Sequence, residues 1–230
     1  MNRSPFTLVC FAVKEEAQSF NPPAGVKTML TGMGRRNAEQ ALRKAFETGL
    51  PRLVLTCGFA GGLKPELARG TVIFSADDDA RLGSALLEAG AKPGSFHCAE
   101  NVATTAEQKR SLREATGADA VEMESLIIRA ICREQKIPSA TIRVILDTAT
   151  EDLALDFNQL MTARQKMHYG KLAIELLRSP GRIPALMELQ RQSRAAAEKL
   201  AEVLHKIIMD ERMKVGGSFE SGRGLPDSKT

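Results

Sequence analysis

Short apolar, β-prone runs alternate along this chain with segments of helical periodicity, and that alternation limits the fold more than any other feature. Phe6–Ala12, Leu53–Thr56, Thr71–Ser75, Ala120–Val121 with its neighbours, and Ala140–Leu146 read as strands. Arg36–Thr48, Ala80–Ala89, Ala106–Ala115 and Ser125–Gln135 read as amphipathic helices between them. The strands are almost unbroken apolar runs, as expected where helices cover both faces of a sheet. The pattern predicts an α/β fold, a three-layer sandwich around a central mixed sheet. From Asn158 onward the periodicity is helical, over Asn158–Leu177 and Ile183–Met209, with a break at Ser179-Pro180-Gly181. Residues 1–212 are expected to form one domain, and the Gly/Ser-rich stretch 213–230 a disordered tail.

Composition removes several classes of function. At 43% hydrophobic and 26% charged, the 230 residues have an ordinary globular make-up, with no apolar run long enough for a membrane span. No signal peptide is evident, so the expected location is the cytoplasm. The charge of +4 is mild and spread among acids, and there is no Trp and one Tyr, so nucleic acid is not an expected partner. Cys10, Cys57, Cys98 and Cys132 form no CxxC pair and read as buried reduced thiols; no metal site is expected. With three histidines in all, acid–base chemistry falls to carboxylates.

In open α/β sheets ligands bind beyond the carboxyl ends of the strands. Val13-Lys14-Glu15-Glu16 follows the first strand. The glycine-rich Cys57-Gly58-Phe59-Ala60-Gly61-Gly62 follows the second and reads as a turn that lets backbone approach a ligand. Gly32-Met33-Gly34 opens a helix, but Asn37 stands where a dinucleotide fingerprint has its last glycine. Two sites carry the sharpest signal. Glu122-Met123-Glu124 puts carboxylates at the end of an apolar strand, and Asp147 closes Ala140–Leu146. Acids in such places are paired, capping or functional.

FAVKEEA, LTGMGRRNAEQAL, LTCGFAGGLKPELARGTVI, ADAVEMES and IRVILDTA occur in the order seen in the purine nucleoside/uridine phosphorylase family. The resemblance runs from Phe6 to Phe157 and is greatest to the methylthioadenosine/S-adenosylhomocysteine nucleosidase branch. LLRSPGRIPALMELQRQSRAAAEKL also resembles the C-terminal helices of hopanoid-associated phosphorylases. The resemblance implies a nucleoside phosphorylase-like fold, a homo-oligomer (a dimer first), and cleavage of the N-glycosidic bond of an adenine-type nucleoside by water. It implies no cofactor, with phosphate as a possible co-substrate. Asp147 then corresponds to the acid that protonates the departing base, and Glu16 to the group that orients or deprotonates water. Glu124 corresponds to the residue that holds the ribose hydroxyls, with Glu122 beside it and Met123 under the sugar. Val102 falls where backbone meets the base edge, and Cys57, Gly58 and Ala60 face sugar or phosphate. Leu146 stands where a serine is usual before the acid, and the 63–121 stretch is short. Phosphorolysis of a purine or hopanoid-linked nucleoside, and nucleoside binding with weak catalysis, are the alternatives.

Overall fold

The opening apolar run folds as strand β1 (Thr7–Phe11), buried along its whole length. It belongs to a computed structural model that describes residues 6–153, 156–160, 162, 181 and 183–217. β1 pairs in parallel with β2 (Val26–Leu30) on one side and with β3 (Leu53–Gly62) on the other. β3 continues in parallel with β8 (Ser139–Asp147). β4 (Val72–Ala76) then runs antiparallel to β8 and carries the short β5 (Lys92–Pro93). The far end of β3 pairs antiparallel with β7 (Ala120–Glu122), which carries β6 (Phe96–Cys98). The eight strands among the described residues share one mixed sheet.

Alternate residues of the central strands feed two cores. Val9, Leu55, Ile142 and Val144 pack with α3 (Gly83–Glu88) and with Leu200, Leu204 and Ile207 of the C-terminal helix α7 (Ile183–Gly217). On the other face Leu8, Cys10 and Val54 pack with Leu42 of α2 (Arg35–Glu47) and with Ile128 and Ile131 of α5 (Ser125–Glu134). This is the expected three-layer arrangement, and it explains why the strands lack polar alternation. Two short helices and one longer one sit at the sheet's carboxyl edge: α1 (Lys14–Ala17), α6 (Phe157–Leu160) and α4 (Ala106–Thr116).

Several expectations change. The glycine-rich stretch is no turn: β3 runs straight through it to Gly62, with a register shift against β8 at Ala60/Gly61. The expected helix over 80–89 divides into a 3-10 turn, Asp78–Ala80, and α3, because Arg81 takes a left-handed conformation at φ 54°. β2, not anticipated, is an edge strand that is partly exposed and therefore lacks a continuous apolar signature. α7 extends to Gly217, into the stretch expected to be tail; 218–230 lies outside the described residues, as does most of the expected helix 158–177. Among the described residues no helix is long and apolar enough to cross a membrane.

Candidate active site

β8 carries an arginine in the middle of an apolar run, and everything at the carboxyl edge of the sheet organises around it. Arg143 is 1% exposed. Its Nη2 donates to Glu122 Oε2 at 2.7 Å and to Thr56 Oγ1 at 3.2 Å, and lies 3.5 Å from Glu124 Oε2. A buried guanidinium is tolerable only with such partners. Glu122 also accepts from the backbone N–H groups of Glu124 (3.0 Å) and Ser125 (2.7 Å), and from Ser125 Oγ (2.8 Å).

Glu16 enters the same cluster from α1. Its Oε2 accepts from the N–H of Ala12 at 2.7 Å and of Val13 at 3.3 Å, and its Oε1 from the N–H of Phe59 at 2.8 Å. Glu124 Oε1 accepts from the N–H of Gly34 at 2.7 Å, so the glycine-bounded start of α2 binds an anion of the chain's own. Burial pushes the Glu124 carboxyl up to about 7, against Arg143, with Glu122 and Glu16 adding to the rise. Burial likewise raises Glu16, opposed by Arg143 and three backbone N–H groups. Burial also acts upward on Glu122, but Arg143 and the N–H groups of Glu124 and Ser125 outweigh it and hold that carboxyl below its ordinary value. Glu122 is the permanent counterion; Glu16 and Glu124 both keep their protons to higher pH than an ordinary carboxyl, Glu124 to about 7.

Asp147 stands in a second charged cluster further along the sheet. β3 pairs Gly58 with Arg143 and Gly61 with Asp147, three residues or roughly 10 Å apart at strand rise. Lys109 of α4, with no exposed surface, places its Nζ 2.5 Å from Asp147 Oδ2 and donates to the carbonyls of Thr148 (2.8 Å) and Glu151 (2.6 Å). Burial raises the Asp147 carboxyl, and Lys109 opposes that rise. The ammonium forms its ion pair with Oδ2. Glu16 and Glu124 therefore meet around Arg143, whereas Asp147 is held apart by Lys109 at the other end of a glycine-lined stretch of β3.

That stretch has to be glycine where the acid crosses it. A Cβ on Gly58 would lie 2.3 Å from Glu16 Oε1 and 2.8 Å from Arg143 Nη1. Both neighbours are buried and hydrogen-bonded, so neither can retreat. Gly58→Ala is expected to destabilise the fold by about 1–3 kcal/mol. Gly83→Ala, where a Cβ meets nothing within 4 Å, is the comparison; equal urea midpoints for the two variants would refute the close packing of Glu16 on Gly58.

Other expected site residues are corrected. The Cys57 side chain lies in the core shared with α3 and α7, and Ala60 packs with Ile73 and Ile145, so each is taken up by packing. Glu122 Oε2 accepts from Arg143 and the N–H groups of Glu124 and Ser125, and Oε1 from Ser125 Oγ, so it holds the site together. Met123 is buried between the two glutamates in sequence. Val102 does present a peptide edge, but Asn158 of α6 occupies it: Val102 N–H donates to Asn158 Oδ1 and Asn158 Nδ2 donates to the Val102 carbonyl, each at 2.9 Å. Three residues were absent from the expected site. Arg143 was findable as the lone charge inside an apolar strand. Lys109 and Asn158 look, in sequence, like solvated helix positions.

The chain matches the family described as the phosphorylase superfamily over residues 79–178. It is 24% identical over 191 residues to the 5'-methylthioadenosine/S-adenosylhomocysteine nucleosidase of Shewanella piezotolerans, spanning 67% of this chain and 83% of that relative. The nucleosidase of Anoxybacillus flavithermus is 24% identical over 183 residues, 65% of this chain and 78% of its own length. Over residues 79–178 the chain resembles the phosphorylase superfamily. Solved structures share the fold. Native futalosine hydrolase of Helicobacter pylori superposes with a TM-score of 0.64 at 16% identity, covering 90% of this chain and 98% of the other. The 5'-methylthioadenosine/S-adenosylhomocysteine nucleosidase of Neisseria meningitidis, solved with methylthio-immucillin-A, gives 0.64 at 18% identity, covering 90% and 100%. These likenesses to nucleosidases and to a phosphorylase-superfamily model are in line with the motif resemblance.

Proposed function

We propose that this enzyme hydrolyses the N-glycosidic bond of a nucleoside carrying an adenine-type base, with no metal or organic cofactor. The observation that carries the reading is the pair of charged clusters along β3: Glu16 and Glu124 about Arg143 at one end, Asp147 against Lys109 at the other. In the reaction, the bond between the base nitrogen and C1′ breaks, and its electron pair leaves with the base, which takes a proton from Asp147 at N7. Positive charge grows on the sugar, where ionised Glu124 accepts from the ribose hydroxyls and Met123 packs beneath. Water bonds to C1′ and gives a proton to Glu16. An acid with a raised pKa at the leaving group and carboxylates at the sugar are what an oxocarbenium-like centre requires.

Two features support the finer choices. Three carboxylates surround one guanidinium at the sugar end, a formal balance of −2 when all are ionised, which disfavours a phosphate acceptor and favours water. Relatives in sequence and in structure are named as a nucleosidase and a hydrolase. At the base end, Val102 offers a donor N–H beside an acceptor carbonyl, and the Asn158 carboxamide that fills it presents acceptor to donor and donor to acceptor. A 6-aminopurine presents N1 and N6 in that same order, while a 6-oxopurine presents the reverse. An adenine-type base can therefore replace Asn158 bond for bond.

The test is release of free base from adenosine, methylthioadenosine and inosine, each with and without inorganic phosphate. The expected result is adenine release in water alone, unchanged by phosphate, with inosine slower by about tenfold or more. Release that depends on phosphate would replace hydrolysis by phosphorolysis, and a preference for inosine would overturn the role given to Val102.

A further inference from the structure

On the α5 face of the sheet, away from Asp147 and Lys109, lies a cavity of about 410 Å³ between α5, β4, β6, β8 and the first residue of α2. Arg35, Arg129 and Arg133 line it together with His97, Ser75 and Thr141, and no carboxylate is among its lining side chains. Asp77 pairs with Arg129 from outside the lining, so three positive charges less one leave +2 facing the cavity. Three buried polar atoms on these residues, Arg35 Nε, Arg129 Nε and Thr141 Oγ1, have no hydrogen-bond partner among the described residues. Thr141 is wholly buried. Buried donors and hydroxyls left without partners carry a cost, and their collection on one cavity marks the place where a ligand would satisfy them.

The positions of the arginines point the same way. Arg35 is the first residue of the 13-residue helix α2, where the helix dipole disfavours a cation. Arg129 and Arg133 are four apart on α5, so two like charges share one face of the helix. Arg35 Nη2 is fixed on the carbonyl of Cys98 at 2.6 Å and Arg129 Nη1 on Ser75 Oγ at 2.9 Å, which orients both guanidinium groups before any ligand arrives. Arg35 at the helix start and Arg133 beside Arg129 are unfavourable placements that an anion between them would relieve. Phe96 and the exposed Leu126 add an apolar side to the cavity, so its size and lining suit a phosphate group attached to a small organic body.

We propose that this cavity is an anion site for a phosphate-bearing small molecule, held by Arg35, Arg129 and Arg133 and backing onto the Arg143 cluster through Ser125. The experiment is calorimetric titration of the full chain with inorganic phosphate and, separately, with ribose 5-phosphate, using the wild type, Arg35→Met, Arg133→Ala and Arg36→Ala. Arg133 and Arg36 are exposed, so their variants keep the fold, and Arg36 removes an equal charge next to Arg35 without lining the cavity. Saturable binding is expected, about tenfold or more weaker in Arg35→Met and Arg133→Ala and unchanged in Arg36→Ala. The tighter of the two probes tells whether the site takes free phosphate or a phosphorylated sugar. No saturable binding of either probe overturns the proposal. So does an equal loss in Arg36→Ala, which would mean general charge attraction. Dissociation of a dimer by Arg133→Ala, with probe binding unaffected, would overturn it too and make the arginines a subunit contact.

Discussion

Arg143→Met is expected to destabilise the fold by about 3–5 kcal/mol, the cost typical of removing one partner from a buried ionic network. Methionine keeps much of the volume and none of the charge, so Glu16, Glu122 and Glu124 would be left facing one another without a cation. The chain's remedy is to hold protons. Glu124 already sits at about 7 with the arginine present, and loss of the guanidinium removes the main influence holding it and Glu16 down. A folded carboxyl with a raised pKa binds protons that the unfolded chain has released, so its penalty is absent at acid pH and grows as pH climbs from the ordinary carboxylate range through about 7. The variant's urea midpoint is therefore expected near wild type at low pH and far below it at pH 8. Adding Glu122→Gln, which removes one negative charge and keeps one acceptor oxygen for the N–H groups of Glu124 and Ser125, is expected to recover part of the loss. A variant as stable as wild type at pH 8, or a double variant worse than the single, would contradict a network held by one arginine.

How much of this could be read from residues alone differs by cluster. Glu124 and Asp147 announced themselves because each ends an apolar run, where a carboxylate needs a reason. Arg143 carried the same signal from inside β8, yet strand patterning draws attention to the strand's end. Lys109 carried no signal. A lysine in an amphipathic helix is normally solvated, and only the fold of 148–151 over the start of α4 buries it. The glycines at 58, 61 and 62 misled in the opposite direction. Local propensity favours a turn, but pairing with β8 along most of β3 prevails, and the absence of side chains makes room for Glu16 and Asp147. The layers and both cores follow from periodicity, which is local. Partners of buried charges depend on contacts distant in sequence, and no local pattern encodes them.

Asp147→Asn is expected to lower turnover by about 10²–10⁴-fold, the usual contribution of a positioned general acid. Asparagine cannot give a proton to the leaving base, but it also leaves the Lys109 ammonium buried with only carbonyls for company, so stability should fall as well. The two effects separate in the double variant with Lys109→Met. Removing both charges is expected to restore stability, because neither is then unpaired, and to leave turnover as low as in Asp147→Asn alone. Lys109→Met by itself tests the protonation state. Burial raises the Asp147 carboxyl and Lys109 opposes the rise, so loss of the ammonium lets the acid keep its proton to higher pH. The alkaline limb of the kcat profile should then move upward, while a residue with a purely structural role would lower the profile without moving its limbs. If turnover returned in the double variant, the deficit in Asp147→Asn would have come from a stranded lysine, and the proton for the departing base would have to come from elsewhere.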